Sequence, residues 1–513
     1  MNYLTVYKNK EDMMDRFIDY LRFDCIVEII KKRYKHVLFI WLSMIVLYFV
    51  LDGGIMNAPK KLLIISGLVF SIIILFPGKY HNRVFVSILL SGSLFVYNTP
   101  IMDIPDENVH YARALYLSDG HIYLPEKLEQ STIADDIVDV EAVFKQPLIL
   151  TDLEEETVAE EKVVYPGIVK TNGYAFLSYI PQATGILLAR LFKLSISASI
   201  ILGRFLNLLV YALLVRLAIK KASTNKYVLG TIALLPMSVY IAASFNQDAM
   251  SNGLIFLLIG LFCEFIEKEQ ITDGDLFLFA LLSLAVATMK FPYVLIVGLL
   301  LFLPINKLNL RKYLVILISI GVTLILGMFW LKMASSINLR FVTENPQINP
   351  VEKITYTIQN IGIFLRLIVK ELVYLIPNKL QSAFTFGWLT YGLDLTWLYI
   401  PYVSCIFVML PRKKIFNNWN KIGIILVSLG ITMGVLLTAY LMWNPVTDMS
   451  FAGVQGRYFI GVFVLLGLVS NIFYEKNNQI AIKTEKMESV LLLSANFFIF
   501  ALVIRTLIEY YQF

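Results

Sequence analysis

The chain has 513 residues, of which 58% are hydrophobic and only 16% charged. Soluble domains average about 45–50% apolar and about 25% charged residues, so this composition excludes an ordinary soluble enzyme and indicates a polytopic membrane protein. The formal net charge of +6 is small for the length and unevenly placed, which argues for orientation in a bilayer and against nucleic-acid binding.

In chain order, residues 1–36 read as a cytoplasmic amphipathic segment. They are too polar for a cleavable signal peptide, and a helix over 11–33 runs into Lys31, Lys32, Arg33 and Lys35. Residues 37–510 read as one membrane domain. Its first hydrophobic runs are 37–51, 62–77 and 84–98, each short of the roughly 20 residues of a full span and completed by flanking positions. Cys25, Cys263 and Cys405 are far apart, so no disulfide framework or CxxC metal pair is available.

Residues 99–173 form the large hydrophilic insertion. Between Asp103 and Glu161 it carries sixteen acidic residues against Arg113, Lys127 and Lys145. Lys and Arg favour the cytoplasmic side, so this insertion is expected outside the cell, and three spans from a cytoplasmic amino terminus bring the chain to the same side. Residues 174–192 are expected as a helix in the outer interface, interrupted near Pro181, because that choice leaves Lys220, Lys221 and Lys226 inside. Spans then follow at 195–219, 226–244, 250–267, 275–289, 291–304, 313–334, 393–410, 421–442, 457–474 and 489–510. The count is about thirteen transmembrane helices. The extracytoplasmic segments 99–194 and 335–394 form the functional face, the second with an interfacial helix over 361–377 carrying Arg366 and Lys370.

The densest cluster of reactive groups is Pro100 to Arg113, which places Asp103, Asp106, Glu107, His110 and Arg113 within eleven positions. Pro105 suits a first helical turn, and Asp106 and Glu107 suit the positive end of its dipole. On such a helix Asp106 and His110 are i, i+4 neighbours, and Glu107, His110 and Arg113 follow at i, i+3 on nearly one face. The bland alternative is that the acids are helix caps and the histidine packs a helix.

Five further motifs follow Pro105-Asp-Glu-x-x-His-x-x-Arg113 in order. They are Tyr179-x-Pro-Gln-Ala-x-Gly185, Arg204-Phe-Leu-Asn207, Asn246-Gln-Asp248, Lys290-Phe-Pro-Tyr293 and Gly456-Arg-Tyr-Phe459. Together they resemble the bacterial membrane family catalogued as domain of unknown function 2142, itself similar to the GT-C superfamily of polytopic glycosyltransferases. The resemblance runs from about residue 37 to 475. It implies an all-α, GT-C-like polytopic membrane fold with extracytoplasmic interfacial helices. It also implies transfer of a sugar from a polyprenyl-phosphate-linked donor, of the undecaprenyl-phosphate type, at the outer leaflet of a bacterial cell membrane. The expected acceptor is a cell-surface glycan such as a wall polysaccharide or teichoic acid.

Sugar transfer needs a base on the acceptor hydroxyl and a means of stabilising the departing phosphate. Asp106 is the first candidate base, with Asp103 and Glu107 beside it and His110 to accept or orient a proton. Lys290, Arg457, Arg204 and Arg113 are the candidate phosphate ligands, although Lys290 also fits as a snorkelling lysine, Arg204 as a structural charge and Arg113 as an interfacial anchor. Asp248, Asn246 and Tyr179 are candidates for acceptor binding, and Tyr174 and the Trp388–Trp397 stretch for stacking on a sugar. No cofactor is implied. Asp106 and His110 have metal-ligand spacing, but the next histidine is His121 and lipid-phosphate chemistry needs no metal in principle. No Gly-rich phosphate loop, HExxH or Ser/His/Asp arrangement is present. The rival classes are a transporter or flippase of lipid-linked oligosaccharides, with essential charges near the midplane, and a polymerase or ligase sharing the outer site.

Overall fold

The computed structural model describes residues 23–54, 56–125, 128–154, 161–343, 347–374, 379, 383–393, 416–469 and 484–512. Six of its helices are long and apolar enough to cross a membrane: Val27–Val50, Ile196–Lys221, Asp248–Glu267, Leu310–Ala334, Asn418–Trp443 and Glu488–Tyr510. The expected segment 393–410 lies outside the described residues, apart from Leu393.

The chain enters through α1 (Phe23–Val50), which runs unbroken across residue 36, followed by α2 (Lys60–Leu75) and α3 (Tyr80–Asn98). The hydrophilic insertion then holds α4 (Glu107–Ser118), the short antiparallel pair β1 (Thr132–Ala134) and β2 (Lys162–Val164), and between them α5 (Asp136–Ala142). An apolar core of Ile101, Tyr111, Leu115, Ile137, Leu148 and Ile168 fills this insertion and continues into Ile186, Ile196, Ile200 and Phe245 of the bundle. The insertion is therefore a folded cap on the bundle.

Helix α6 (Ile180–Leu191) has Pro181 in its first turn, so proline opens the helix instead of interrupting it. It lies against α7 (Ile196–Lys221), which is capped by the Ser195 side chain accepting from the Ala198 N–H. The crossing is close because both helices offer glycine: a Cβ at Gly185 would collide with the backbone N and Cα of Gly203. Gly185→Ala is expected to push α6 off α7 and cost about 1–3 kcal/mol, read as a lower melting temperature in detergent. An unchanged melt would refute this account of the crossing.

The expected span 226–244 is two short helices, α8 (Lys226–Ala233) and α9 (Pro236–Ala242). Pro236 cannot continue α8 because it lacks an N–H, and the break redirects the chain. Helix α10 (Asp248–Glu267) is the axis of the bundle: 83% of its apolar window is buried inside the protein. It packs on α7, and α11 (Asp273–Met289), opened by a Thr272–Asp275 capping box, follows. The expected span 291–304 is a twelve-residue 3-10 helix, Phe291–Phe302. At about 2.0 Å per residue it reaches about 24 Å, where an α-helix of equal length would reach about 18 Å.

Helix α12 (Leu310–Thr343) is peripheral, with only 17% of its apolar window buried. The segment after it contains α13 (Pro350–Gln359) and α14 (Ile361–Val373). Helix α13 is amphipathic: Val351, Ile354 and Ile358 are exposed, while Lys353 and Thr357 on the opposite face are buried. The Lys353 ammonium donates to the carbonyls of Pro445 and Asp448 and lies 4.1 Å from the Tyr440 ring centroid. That anchors α13 at the end of α15 (Asn418–Trp443). The hairpin β3 (Thr385–Phe386) and β4 (Tyr391–Gly392) comes between them in sequence. Helix α16 (Ile460–Val469), preceded by the 3-10 turn Gly456–Phe459, and α17 (Thr484–Tyr510) complete the bundle.

Candidate functional site

Six segments meet at the capped end of the bundle: the loop after α3, the start of α4, the start of α6, the turn before α10, the end of α11 and the turn before α16. One buried ion pair ties three of them, the loop after α3, the start of α4 and the turn before α10, to α7. Glu107 and Arg204 are both fully buried and joined twice, Nε to Oε1 and Nη2 to Oε2, each at 2.8 Å. The remaining Arg204 N–H groups go to the carbonyls of Val96, Thr99 and Pro100. All five donors of this guanidinium are thus used by the chain itself, and none remains for a phosphate. Glu107 also accepts from the Phe245 N–H at 3.1 Å. It is a clamp between α4, α7 and the turn before α10.

The motif partners complete that clamp. Asn207, one turn along α7 from Arg204, donates to the carbonyls of Ser244 and Asn246, and Gln182 donates to the carbonyl of Phe245. Asn246 reaches the Pro105 carbonyl with its amide and accepts from the Asp248 N–H. Its side chain positions the neighbouring loop.

Asp106 departs from the expected geometry. It precedes the first helical residue, with a left-handed φ of 65°. It therefore does not pair with His110 on one helix face, and the hydrogen bond between them runs from the His110 N–H to the Asp106 carbonyl. Met102 is also left-handed, with φ 55°. Such conformations are uncommon for non-glycine residues and persist where surrounding contacts impose them. The result points the Asp106 carboxylate at Arg457, 3.2 Å from Nη2, with 48% of its side chain exposed.

Arg457 itself is 4% exposed. Its Nε lies 4.0 Å from Oδ2 of Asp248, whose Oδ1 accepts from Lys290 at 2.8 Å and from Gln247 at 2.9 Å. The Tyr458 ring sits between the two cations, 5.4 Å from the guanidinium and 5.7 Å from the ammonium. Nε and Nη1 of Arg457 are buried without a hydrogen-bond acceptor. Arg457 also lines a narrow cleft with Pro105, Tyr240, Gly387, Leu389 and Gln455.

His110, on α4, faces this cluster from behind. Its Nδ1 is 2.8 Å from the Tyr179 hydroxyl. Burial pulls its pKa down to about 4, so the imidazole is neutral in ordinary buffers, and the same burial raises the Tyr174 and Tyr179 phenols well above their usual range. Arg113 lies one turn further along α4, bonded to the Ile122 carbonyl and not to the Asp106 cluster. Arg366 and Lys370 are exposed on α14. Among the described residues no group of three or more His, Cys, Asp or Glu forms a metal-holding cluster, so Asp106 and His110 acquire no third ligand.

Asp103 is fully buried in a cage of phenols: Tyr240 at 2.7 Å, Tyr391 at 3.1 Å and Tyr510 at 2.6 Å. It ties the loop after α3 to α9, to the β3–β4 hairpin and to the end of α17. These three tyrosines escape the sequence reading because they belong to no motif. The available signal is that a tyrosine within an apolar segment needs a partner for its hydroxyl. Trp388 at the hairpin tip is 37% exposed and donates to the Met102 carbonyl, whereas Trp397 lies outside the described residues.

No curated protein and no solved structure matches the chain. Residues 89–466, which contain every motif that builds this site, match the family described as predicted membrane protein DUF2142, and the chain belongs to that family.

Proposed function

We propose that the protein is a membrane glycosyltransferase. On this reading it adopts a GT-C-like arrangement of about thirteen crossings and passes a sugar from a polyprenyl-phosphate donor to a cell-surface glycan on the extracytoplasmic side. The observation that carries the reading is the contrast among the four carboxylates at the site. Asp103, Glu107 and Asp248 are buried and engaged, whereas Asp106 is half exposed and oriented by a buried arginine beside a cleft.

In this reading Asp106 takes the proton from an acceptor hydroxyl as its oxygen bonds to the anomeric carbon. The anomeric C–O bond to phosphate breaks, and its electron pair stays on the phosphate. Arg457, with Lys290 behind it, stabilises the departing charge. Asp248 holds Lys290 and lies near Arg457, which makes it an organiser of the cations. Neutral His110 and Tyr179 support the wall behind Asp106. Glu107, Arg204, Asn246 and Asp103 hold the loops in place.

The test uses purified protein in liposomes with a panel of radiolabelled polyprenyl-phosphate monosaccharides and membrane glycans as acceptor. Incorporation of one sugar supports the assignment and names the donor. Silence across the panel, with intact protein and acceptor, would turn the assignment toward polymerase, ligase or flippase chemistry.

A further inference from the structure

We propose that the Arg457 site accepts a singly charged phosphate diester and rejects the doubly charged monoester, so that charge balance expels the product of transfer. The inference rests on the lipid-phosphate reading above.

An anionic ligand is indicated at Arg457, which, unlike Arg113 with its own buried and unpaired Nε and Nη1, lines a cleft. The Arg457 Nε and Nη1 are buried without an acceptor while the residue lines a narrow cleft. Buried donors left unpaired are costly, and a phosphate oxygen would satisfy them. The number of charges is set by what surrounds them. Two cations, Arg457 and Lys290, face two carboxylates, Asp106 and Asp248. The Glu107–Arg204 pair behind them balances itself, as does the Lys379–Glu371 pair at 3.7 Å. Asp103, beyond Tyr240, adds one negative charge. Arg113, 3% exposed beyond Tyr179, adds one positive charge.

The buried surroundings are therefore close to neutral before any ligand arrives. A diester brings one negative charge to the two unused guanidinium donors. Transfer removes the sugar and leaves a monoester, whose second ionisation lies near pH 6. Once Asp106 has passed the proton it took from the acceptor to solvent, that product carries at neutral pH a second, uncompensated charge beside Asp106 and Asp248. No cation at this site is left unopposed to meet it, and like charges at low dielectric repel strongly.

The test is binding to the full-length protein in nanodiscs of zwitterionic lipid, with farnesyl phosphate and its methyl diester as probes, between pH 5.5 and pH 8. His110, neutral above about pH 4, is silent over this window. The diester Kd is expected to stay constant within about twofold. The monoester Kd is expected to rise by up to about a hundredfold, because about one molecule in a hundred keeps its second proton at pH 8. Asp248→Asn, which adds one net positive charge to the site, should flatten the monoester profile. Equal monoester binding by the wild type at both pH values would overturn the discrimination alone. Binding of neither ester at any pH would remove the lipid-phosphate reading, and this inference with it.

Discussion

Asp106→Asn is expected to lower sugar transfer by about 10²–10⁴-fold, the usual worth of a positioned general base, while leaving the fold intact. The amide is nearly isosteric and its oxygen can still accept from Arg457, but it cannot take a proton from the acceptor. The structural cost is small for two reasons. The side chain is 48% exposed, so loss of its ion pair is worth about 0–1 kcal/mol after solvent screening. The left-handed backbone is one that asparagine tolerates at least as well as aspartate. Initial rates should be compared on preparations matched for monodispersity and melting temperature. A folded variant that keeps more than a tenth of the wild-type rate would remove Asp106 from the role of base.

Arg204→Met should act in the opposite way, through stability. It leaves Glu107 buried without its partner and strips donors from three buried carbonyls. Breaking a buried pair on one side costs about 3–5 kcal/mol, enough to abolish accumulation of folded protein or to lower its melting temperature steeply. The double variant Arg204→Met with Glu107→Gln removes the stranded charge and is expected to recover part of the loss, a coupling measurable as a double-mutant cycle. A single variant as stable as the wild type would show that the clamp contributes little. Strictly additive losses would show that the two side chains do not depend on each other.

How much was legible in the sequence differs from residue to residue. The apolar segments were visible because a lipid-facing helix must be apolar along its length, and α7, α10, α12, α15 and α17 lie where hydropathy puts them. Segment 226–244 misled because hydropathy measures burial and not continuity: Pro236 splits an apolar stretch that remains wholly buried. The motif residues were legible as a set, and most of them converge. Their separate tasks were not, because Arg204 and Arg457 carry the same group and differ only in what surrounds it. One has five chain acceptors, while the other has two unused donors beside a cleft.

Taken by itself, the amino-acid sequence determined the chain's solvent, its class and its family. Composition and the spacing of apolar runs respond to the bilayer directly, and the motifs lie in order along the chain. Tertiary structure alone decided which carboxylate is exposed. Asp103, Asp106 and Glu107 lie within five positions of one another, yet one sits in a cage of phenols, one faces solvent beside an arginine and one is sealed against Arg204. The physical reason is that burial and hydrogen-bond saturation depend on residues up to several hundred positions away, such as Tyr391, Arg457 and Tyr510. No local pattern around Asp106 contains them.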